Sequence, residues 1–370
     1  MKYVFILGRN VELSVAEVKV FLETRNINFR IISKVSNGIL VESDRKLENV
    51  ISKFGGVIAI GEVLFEGNFK EVVKQLDKKE IYFGKGNKLN YAVYDFDGEF
   101  SEDIRDYLKE RFREEKLKAT EKRVGDRIKL QDGGYAWKVS SNLIDEQFFV
   151  FKDCFGRIIE LCDYDKIEER DMKKPVRRNE LSISPRLAKI LINLSHVKEN
   201  ETLLDPFCGI GVVLQEALLQ KIKVVGVDVD KNALNGAKQN LKWFGFDSKN
   251  YKLINDDSSK VEIPKVNVIA TEPDLGELQK KTPNPKIAKH ITYGFEKLMI
   301  SVINNLKNNV KGRIVFTAPL VISGKKKYSC NFEKIARETN LKIEEGFPID
   351  EFRQSSFIGR SIVVMRNFKN

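Results

Sequence analysis

The stretch LLDPFCGIG (residues 203–211) decides the fold. An apolar run ends in Asp205, and Gly209 and Gly211 then open the helical pattern VVLQEALLQ. Glycine lets a backbone approach a bound molecule closely, and the crevice beyond the carboxyl ends of parallel strands is where such sheets take their cofactors. A glycine turn alone is weak evidence, but two more acids reinforce it. Asp228 ends the next strand, KVVGVD, about 20 residues on, where a carboxylate can accept both hydroxyls of a ribose. The third strand, YKLIN, runs into Asp256 and Asp257, and Asp256 is placed to meet an adenine edge.

Working outward, the chain from Leu181 has an α/β rhythm. SPRLAKILINLSHV starts with Ser184 as an N-cap and Pro185 at the first helical position. Strands TLLD, KVVGVD, YKLIN, VNVIA and RIVFTA then alternate with helices, among them a long one over 286–306. A short helix, NFEKIARE, and the strands LKIEEG and RSIVVMR close the chain. Alternating β and α elements imply a parallel sheet, and a closing strand pair without a crossover helix implies an antiparallel last strand. The expectation is a seven-stranded, Rossmann-like α/β sheet of the methyltransferase type.

The first third of the chain reads differently. KYVFILG, LSVAEVKVFLETR, FRIISKV, GILVES, a helix over 45–53 and VIAIGEVLF give a β-α-β-β-α-β order, the ferredoxin-like arrangement. A second α+β region covers about 89–163. There SEDIRDYLKERFREEKLKATEKR reads as one basic helix capped by Ser101, followed by strands YAWKVSSNLI, QFFVFKD and RIIELC. The Lys and Arg run over 109–123 is either a solvated helix face or a surface that tracks phosphates. CDYDKIEERDMKKPVRRN lacks apolar periodicity and reads as a linker or hinge.

Composition bounds what these parts can do. A chain of 370 residues with 42% hydrophobic and 32% charged residues is well packed, of two or three domains, and heavily charged at its surface. The net charge of +11 favours a polyanionic partner. No apolar run reaches the roughly 20 residues that span a bilayer, and the N-terminus lacks a signal-peptide pattern, so a cytoplasmic protein is expected. Four cysteines and two histidines show neither zinc-site spacing nor a disulfide framework, so no metal is expected.

DPFCGIG is not the GxGxxG of NAD enzymes. It resembles the cofactor loop of S-adenosylmethionine methyltransferases that act on exocyclic amines, in particular the Trm11-like tRNA guanine-N2 methyltransferase family. CFGRIIELCDYDKIEERDMKKPVRR is similar to that family's passage out of its THUMP RNA-binding domain, and SISPRLAKILINL to the helix leading into its catalytic domain. The resemblance implies an N-terminal ferredoxin-like domain (1–75), a THUMP-like RNA-binding domain (76–165), a linker (166–183) and a methyltransferase domain (184–370). It further implies S-adenosylmethionine as cofactor and tRNA as partner, with the N2 of a guanine, at position ten, as target. Asp205, Pro206, Phe207, Cys208, Gly209 and Gly211 would form the methionine and loop side of the cofactor site, Asp228 would take the ribose and Asp256 the adenine amine. For Phe207 and Cys208, packing beneath the loop is an equal alternative.

The catalytic turn is then NVIATEPDLG (267–276). In amino-methyltransferases the fourth strand ends in a motif of the type Asp/Asn-Pro-Pro-Tyr, and some relatives carry Thr-Glu-Pro-Tyr. An exocyclic amine is a poor nucleophile, because its lone pair is delocalised into the ring. Acceptors hold its hydrogens and orient the nitrogen, while an aromatic ring stacks on the flipped base. Here Thr271, Glu272 and Pro273 match, but Asp274 stands where the ring is expected. Tyr293 and Phe295, just downstream, are the candidate substitutes, with helix packing as their alternative role. Three readings remain at this level: an active tRNA methyltransferase, a relative that binds RNA and S-adenosylmethionine without turnover, and a DNA amino-methyltransferase. The THUMP-like region argues against the last.

Overall fold

The computed structural model describes residues 1–122, 127–131, 134–137, 144–178, 183–276, 281–352 and 357–367. Two compact units result, one of residues 1–18, 26–52 and 56–163, the other of residues 19–25, 53–55 and 164–370.

Up to Leu161 the chain forms, in order, β1 (Lys2–Leu7), α1 (Val11–Thr24), β2 (Phe29–Val35), β3 (Gly38–Ser43), β4 (Val57–Glu66), α2 (Phe69–Leu76), β5 (Lys88–Phe96), α3 (Ser101–Glu114), β6 (Lys118–Glu121), β7 (Arg127–Lys129), β8 (Tyr135–Trp137), β9 (Glu146–Phe151) and β10 (Cys154–Leu161). Eight strands share one sheet in the order β2-β3-β1-β4-β10-β9-β5-β6, while β7 pairs with β8 alone. The regions read as two domains therefore share a sheet, joined where β4 pairs with β10. Pairing is antiparallel from β2 to β9 and parallel among β9, β5 and β6. Stacked Phe148 and Phe155, with Tyr91 set edge-on to Phe112, fill the face beneath α3.

Three local expectations fail here. Residues 45–53 form no α-helix, only a 3₁₀ turn at Ile51–Lys53. Asn49 sits at φ 55°, off the helical path, and the Glu160 carboxylate accepts from the N–H groups of Val50 and Ile51 at 2.9 and 2.7 Å. The basic helix stops at Glu114 rather than running to Arg123: Lys116 is left-handed at φ 59° and Leu117 N–H donates back to Phe112 O at 2.9 Å, a Schellman ending. The chain then pairs with β5 as β6. Nor is Ser101 the cap, because Phe100 holds that position and the Ser101 hydroxyl donates to Asp95 at 2.7 Å. Arg111 and Arg113 pair with Glu115 and Glu110 on the same helix, so part of its charge is neutralised. Arg123, the expected strand beyond Trp137 and residues 179–182 lie outside the described residues.

The second unit contains α4 (Tyr164–Lys173), α5 (Pro185–Leu194), β11 (Thr202–Asp205), α6 (Val212–Leu219), β12 (Lys223–Asp228), α7 (Lys231–Trp243), β13 (Tyr251–Asn255), β14 (Val268–Thr271), α8 (Pro285–Leu306), β15 (Ile314–Ser323), β16 (Lys326–Tyr328), α9 (Phe332–Thr339), β17 (Leu341–Ile343), β18 (Ile349–Glu351) and β19 (Ile358–Asn367). Ser184 caps α5 by accepting from Leu187 N–H at 3.2 Å, with Pro185 in the first turn, as its sequence implies. The sheet runs β13-β12-β11-β14-β15-β19-β17, with β16 added to β15 and β18 to β19. It therefore has nine strands instead of seven, and the surplus is two three-residue strands. β13 through β15 are parallel and β19 is antiparallel to both neighbours. Chain order reverses at β11, which has β12 on one side and β14 on the other, so the carboxyl ends of β11 and β14 flank a switch point.

Most of the stretch expected as a linker forms α4, and an ion pair explains its docking. Arg170 donates to both carboxylate oxygens of Glu216 at 3.0–3.2 Å, and Lys189 lies 3.9 Å away. The Glu216 side chain is fully buried in α6, directly after the glycine loop, and burial raises its pKa. Removing one partner of such a pair leaves an uncompensated buried charge. Arg170→Ala is expected to lower the urea-unfolding free energy by about 3 kcal/mol. The loss should be larger at pH 8 than at pH 5, where Glu216 can take a proton. Equal stability at both pH values would remove the pair from this role.

Candidate active site

Everything in the site hangs from the ends of β11, β12 and β14. Asp205, the last residue of β11, is 1% exposed. Its Oδ1 accepts from the Thr271 hydroxyl at 2.6 Å and from Phe207 N–H at 3.1 Å. Thr271 is the last residue of β14, so this bond ties together the two strands beside the switch point. Two donors do not replace the lost hydration, and burial pushes the Asp205 acid up to about 7.

The loop after Asp205 turns twice through left-handed backbone, at Gly209 (φ 51°) and Gly211 (φ 86°). A side chain at Gly209 would meet nothing within 4 Å, so this backbone faces open space. Gly211 is needed for a different reason: a Cβ there would lie 3.2 Å from Ala237 of α7, on top of the backbone strain. Cys208 N–H donates to Val227 O at 3.0 Å, and its thiol is buried and held well above its usual pKa by desolvation. Asp228 braces the loop from β12, its Oδ2 accepting from Gly209 N–H at 2.7 Å and its Oδ1 from Asp230 N–H at 2.8 Å. Each carboxylate oxygen keeps a lone-pair direction for a further donor.

The structure brings Asp205, Phe207, Cys208, Gly209 and Glu272 to one pocket, together with Arg178, Ile183, Ile210, Val212 and Val213. Pro206 is buried beneath it, its carbonyl accepting from the Ser258 hydroxyl at 2.5 Å. Asp228 stands behind the pocket through Gly209. Asp256 is exposed, and its N–H donates to Asp228 O at 3.2 Å.

The turn Thr271–Asp274 divides in two. Glu272 faces the pocket and Pro273 is buried, whereas Asp274 is exposed, closes a turn by accepting from Gly276 N–H at 2.9 Å, and lines a separate groove with Ile287, His290, Ile291 and Leu298. Phe295 is 5% exposed and packs in the core near Phe316, and it also lines the groove that holds Asp274. Tyr293 is 51% exposed, with the Lys297 and Lys334 ammonium groups 4.5 and 5.0 Å from its ring centroid.

Two residues of the site carried no sequence signal as such. Arg178 lies in the KKPVRR cluster read as a hinge, yet it lines the pocket and pairs with Asp230 at 2.5 Å. Arg360 of β19, remote in sequence, is hydrogen-bonded to Glu272.

A sheet ordered β13-β12-β11-β14-β15-β19-β17, with acids at successive carboxyl ends and a glycine loop into α6, defines the class I methyltransferase fold. Residues 175–299 match a family described as an RMKL-like methyltransferase domain. Three archaeal tRNA (guanine(10)-N2)-dimethyltransferases are similar. That of Methanothermobacter thermautotrophicus is 40% identical over 96 residues, a match spanning 28% of that protein and 26% of this chain. Those of Methanocaldococcus jannaschii and Pyrococcus abyssi are 23% and 28% identical, covering 73% and 75% of this chain and 80% and 78% of theirs. The structure of TrmN from Thermus thermophilus superposes over the full length of both chains with a TM-score of 0.51 at 12% identity, a likeness of fold. The chain is thus similar to tRNA guanine-N2 methyltransferases of the Trm11-like kind.

The raised Asp205 pKa makes a stability prediction. An acid at about 7 when folded and near 3.8 when unfolded contributes stability that is complete below the lower value and lost as pH rises through the upper one. Asp205→Asn keeps an acceptor for Thr271 and Phe207 but cannot ionise. Between pH 5 and pH 7.5 the ligand-free variant should gain roughly 2–3 kcal/mol relative to the parent in urea titrations. A constant difference across that range would show that Asp205 ionises without penalty.

Proposed function

We propose that this chain transfers methyl groups from S-adenosylmethionine to the exocyclic N2 of a guanine in tRNA, at position ten as in its archaeal relatives, working in the cytoplasm. One observation carries the reading: two carboxylates, Asp205 and Glu272, and the open backbone of Gly209 converge on one pocket at the switch point.

The residues fit the cofactor by their chemistry. S-adenosylmethionine brings a sulfonium whose methyl is electrophilic, and it carries an ammonium, so an acidic pocket with bare glycine backbone suits it. Asp205 would balance that positive charge, Asp228 would accept from the ribose hydroxyls and Asp256 from the adenine amine, with Pro206, Phe207, Cys208 and Gly211 shaping the loop. At the other side of the pocket, Glu272 would accept a hydrogen of the guanine amine. Arg360 occupies Oε1 of Glu272, and Oε2 makes no hydrogen bond among the described residues, so Oε2 is the acceptor. The carbonyls around Pro273 supply the second acceptor, and Thr271 keeps the turn in register with Asp205. The gain comes from orienting the nitrogen and stabilising charge that develops on it.

For the first unit, we read the antiparallel order β2-β3-β1-β4 as the ferredoxin-like part, its second helix reduced to a 3₁₀ turn, and the strands from β5 to β10 as the THUMP-like part. The net charge of +11 lies within residues 164–370, because residues 1–163 carry 28 basic and 28 acidic side chains, so a polyanion is attracted chiefly by the second unit. A second reading, a relative that binds RNA and cofactor without turnover, is favoured by Asp274, which offers no π face where a stacking ring is expected. Such stacking contributes about 1–3 kcal/mol per base.

Calorimetry with S-adenosylmethionine, followed by mass spectrometry of nucleosides from incubated tRNA, tests the assignment. Binding together with N2-methylguanine or its dimethyl form is expected, and Asp274→Tyr should raise turnover roughly tenfold or more. Binding with no methylated nucleoside from either form would establish the second reading. Affinity for tRNA should also fall steeply between 50 and 200 mM salt, as for contacts that release counterions. A flat response would remove the phosphate-tracking role.

A further inference from the structure

Arg360 reaches the site from the far side of the sheet. It lies on β19, paired opposite Pro319 of β15, and its guanidinium crosses to Glu272 at the end of β14. Both side chains are nearly buried, at 12% and 9% exposure. A third charge completes the group: Glu351 of β18 stands 3.9 Å from the same guanidinium, and its Oε2 is buried without a hydrogen-bond partner among the described residues. Two carboxylates thus share one cation in a poorly hydrated setting. A buried carboxylate with no counter-charge would be driven toward its neutral form or out to water. A Glu272 side chain turned out to water would no longer present an acceptor to the pocket. The Arg fork is suited to the task, because its planar donors fix the direction of a carboxylate as well as its charge.

We infer that Arg360 is a positioning residue for methyl transfer, holding Glu272 oriented so that Oε2 faces the incoming amine, with Glu351 steering the guanidinium from behind. The inference deepens the proposed function and rests on it. Arg360 touches neither substrate nor cofactor in this scheme; it acts through Glu272. The β18–β19 hairpin, which carries no motif of its own, thereby becomes part of the catalytic apparatus.

A double-mutant cycle on the full-length protein tests this, with kcat and KM for tRNA, the Kd for S-adenosylmethionine and the thermal midpoint measured for each form. Arg360→Gln is expected to lower kcat by about 10- to 100-fold, the scale of a misplaced catalytic group, with KM and Kd within about twofold of the parent. Arg360→Lys should recover part of the loss, since it restores charge without the fork. Glu272→Gln should be as slow as Arg360→Gln, and the double variant no slower than Glu272→Gln alone, because both act through one carboxylate. Full kcat in Arg360→Gln, additive losses in the double variant, or a loss confined to KM or Kd would each overturn the inference. Should Arg360→Gln fail to fold, Arg360→Lys enters the cycle in its place under the same criteria. An inactive parent protein overturns the proposed function and this inference together, whereas an active parent with an indifferent Arg360 overturns this inference alone.

Discussion

The bond from the Thr271 hydroxyl to Asp205 is the constraint on which the second unit depends. It joins the carboxyl ends of β11 and β14 at the one place where the sheet's chain order reverses. Every other part of the pocket is referred to one of those ends: the glycine loop follows Asp205, and the acidic turn follows Thr271. The bond is made inside the protein, where Asp205 has almost no contact with solvent and its charged form is disfavoured. A ligand-free site of this kind holds an unfavourable electrostatic state that a cation would relieve. Strain of that sort is tolerated where function requires it and is offset by packing elsewhere.

Two further buried ionic groups brace the site from opposite directions. Arg170 and Lys189 neutralise Glu216 behind the glycine loop, binding α4 and α5 to α6. Arg360 neutralises Glu272 in front, binding β19 to the turn after β14. Neither pair need add much net stability, since desolvation offsets most of the attraction. What such groups supply is direction: a buried carboxylate held by cationic partners has few alternative orientations. The loop and the turn are thereby held at a fixed separation, and chemistry that relies on orientation requires this.

The local signals in the chain were reliable where backbone chemistry dictates them. Gly209 and Gly211 had to lie in a turn that ordinary residues avoid, and both have positive φ. Ser184 followed by Pro185 starts α5 as such pairs do. Signals failed where a distant group intervened. The stretch over 45–53 was diverted by Glu160, more than a hundred residues on, and the basic helix ended at Lys116 because the following residues found a place beside β5. Asp274 was readable as a missing ring. Only the structure shows that it faces a different groove from Glu272 and that Phe295, though packed in the core, lines that same groove.

By itself the sequence determined the class of sheet, the position of the glycine loop and the acids at three strand ends, because these follow from periodicity and from the few residues that tolerate tight backbone. Tertiary structure alone decided that the N-terminal regions share one sheet, that α4 forms where a linker was expected, and that Arg178 and Arg360 belong to the site. The physical reason is that side-chain charge pairing and strand adjacency depend on distance in space. A residue on β19 carries nothing in its own neighbours that points to a turn nearly ninety positions earlier.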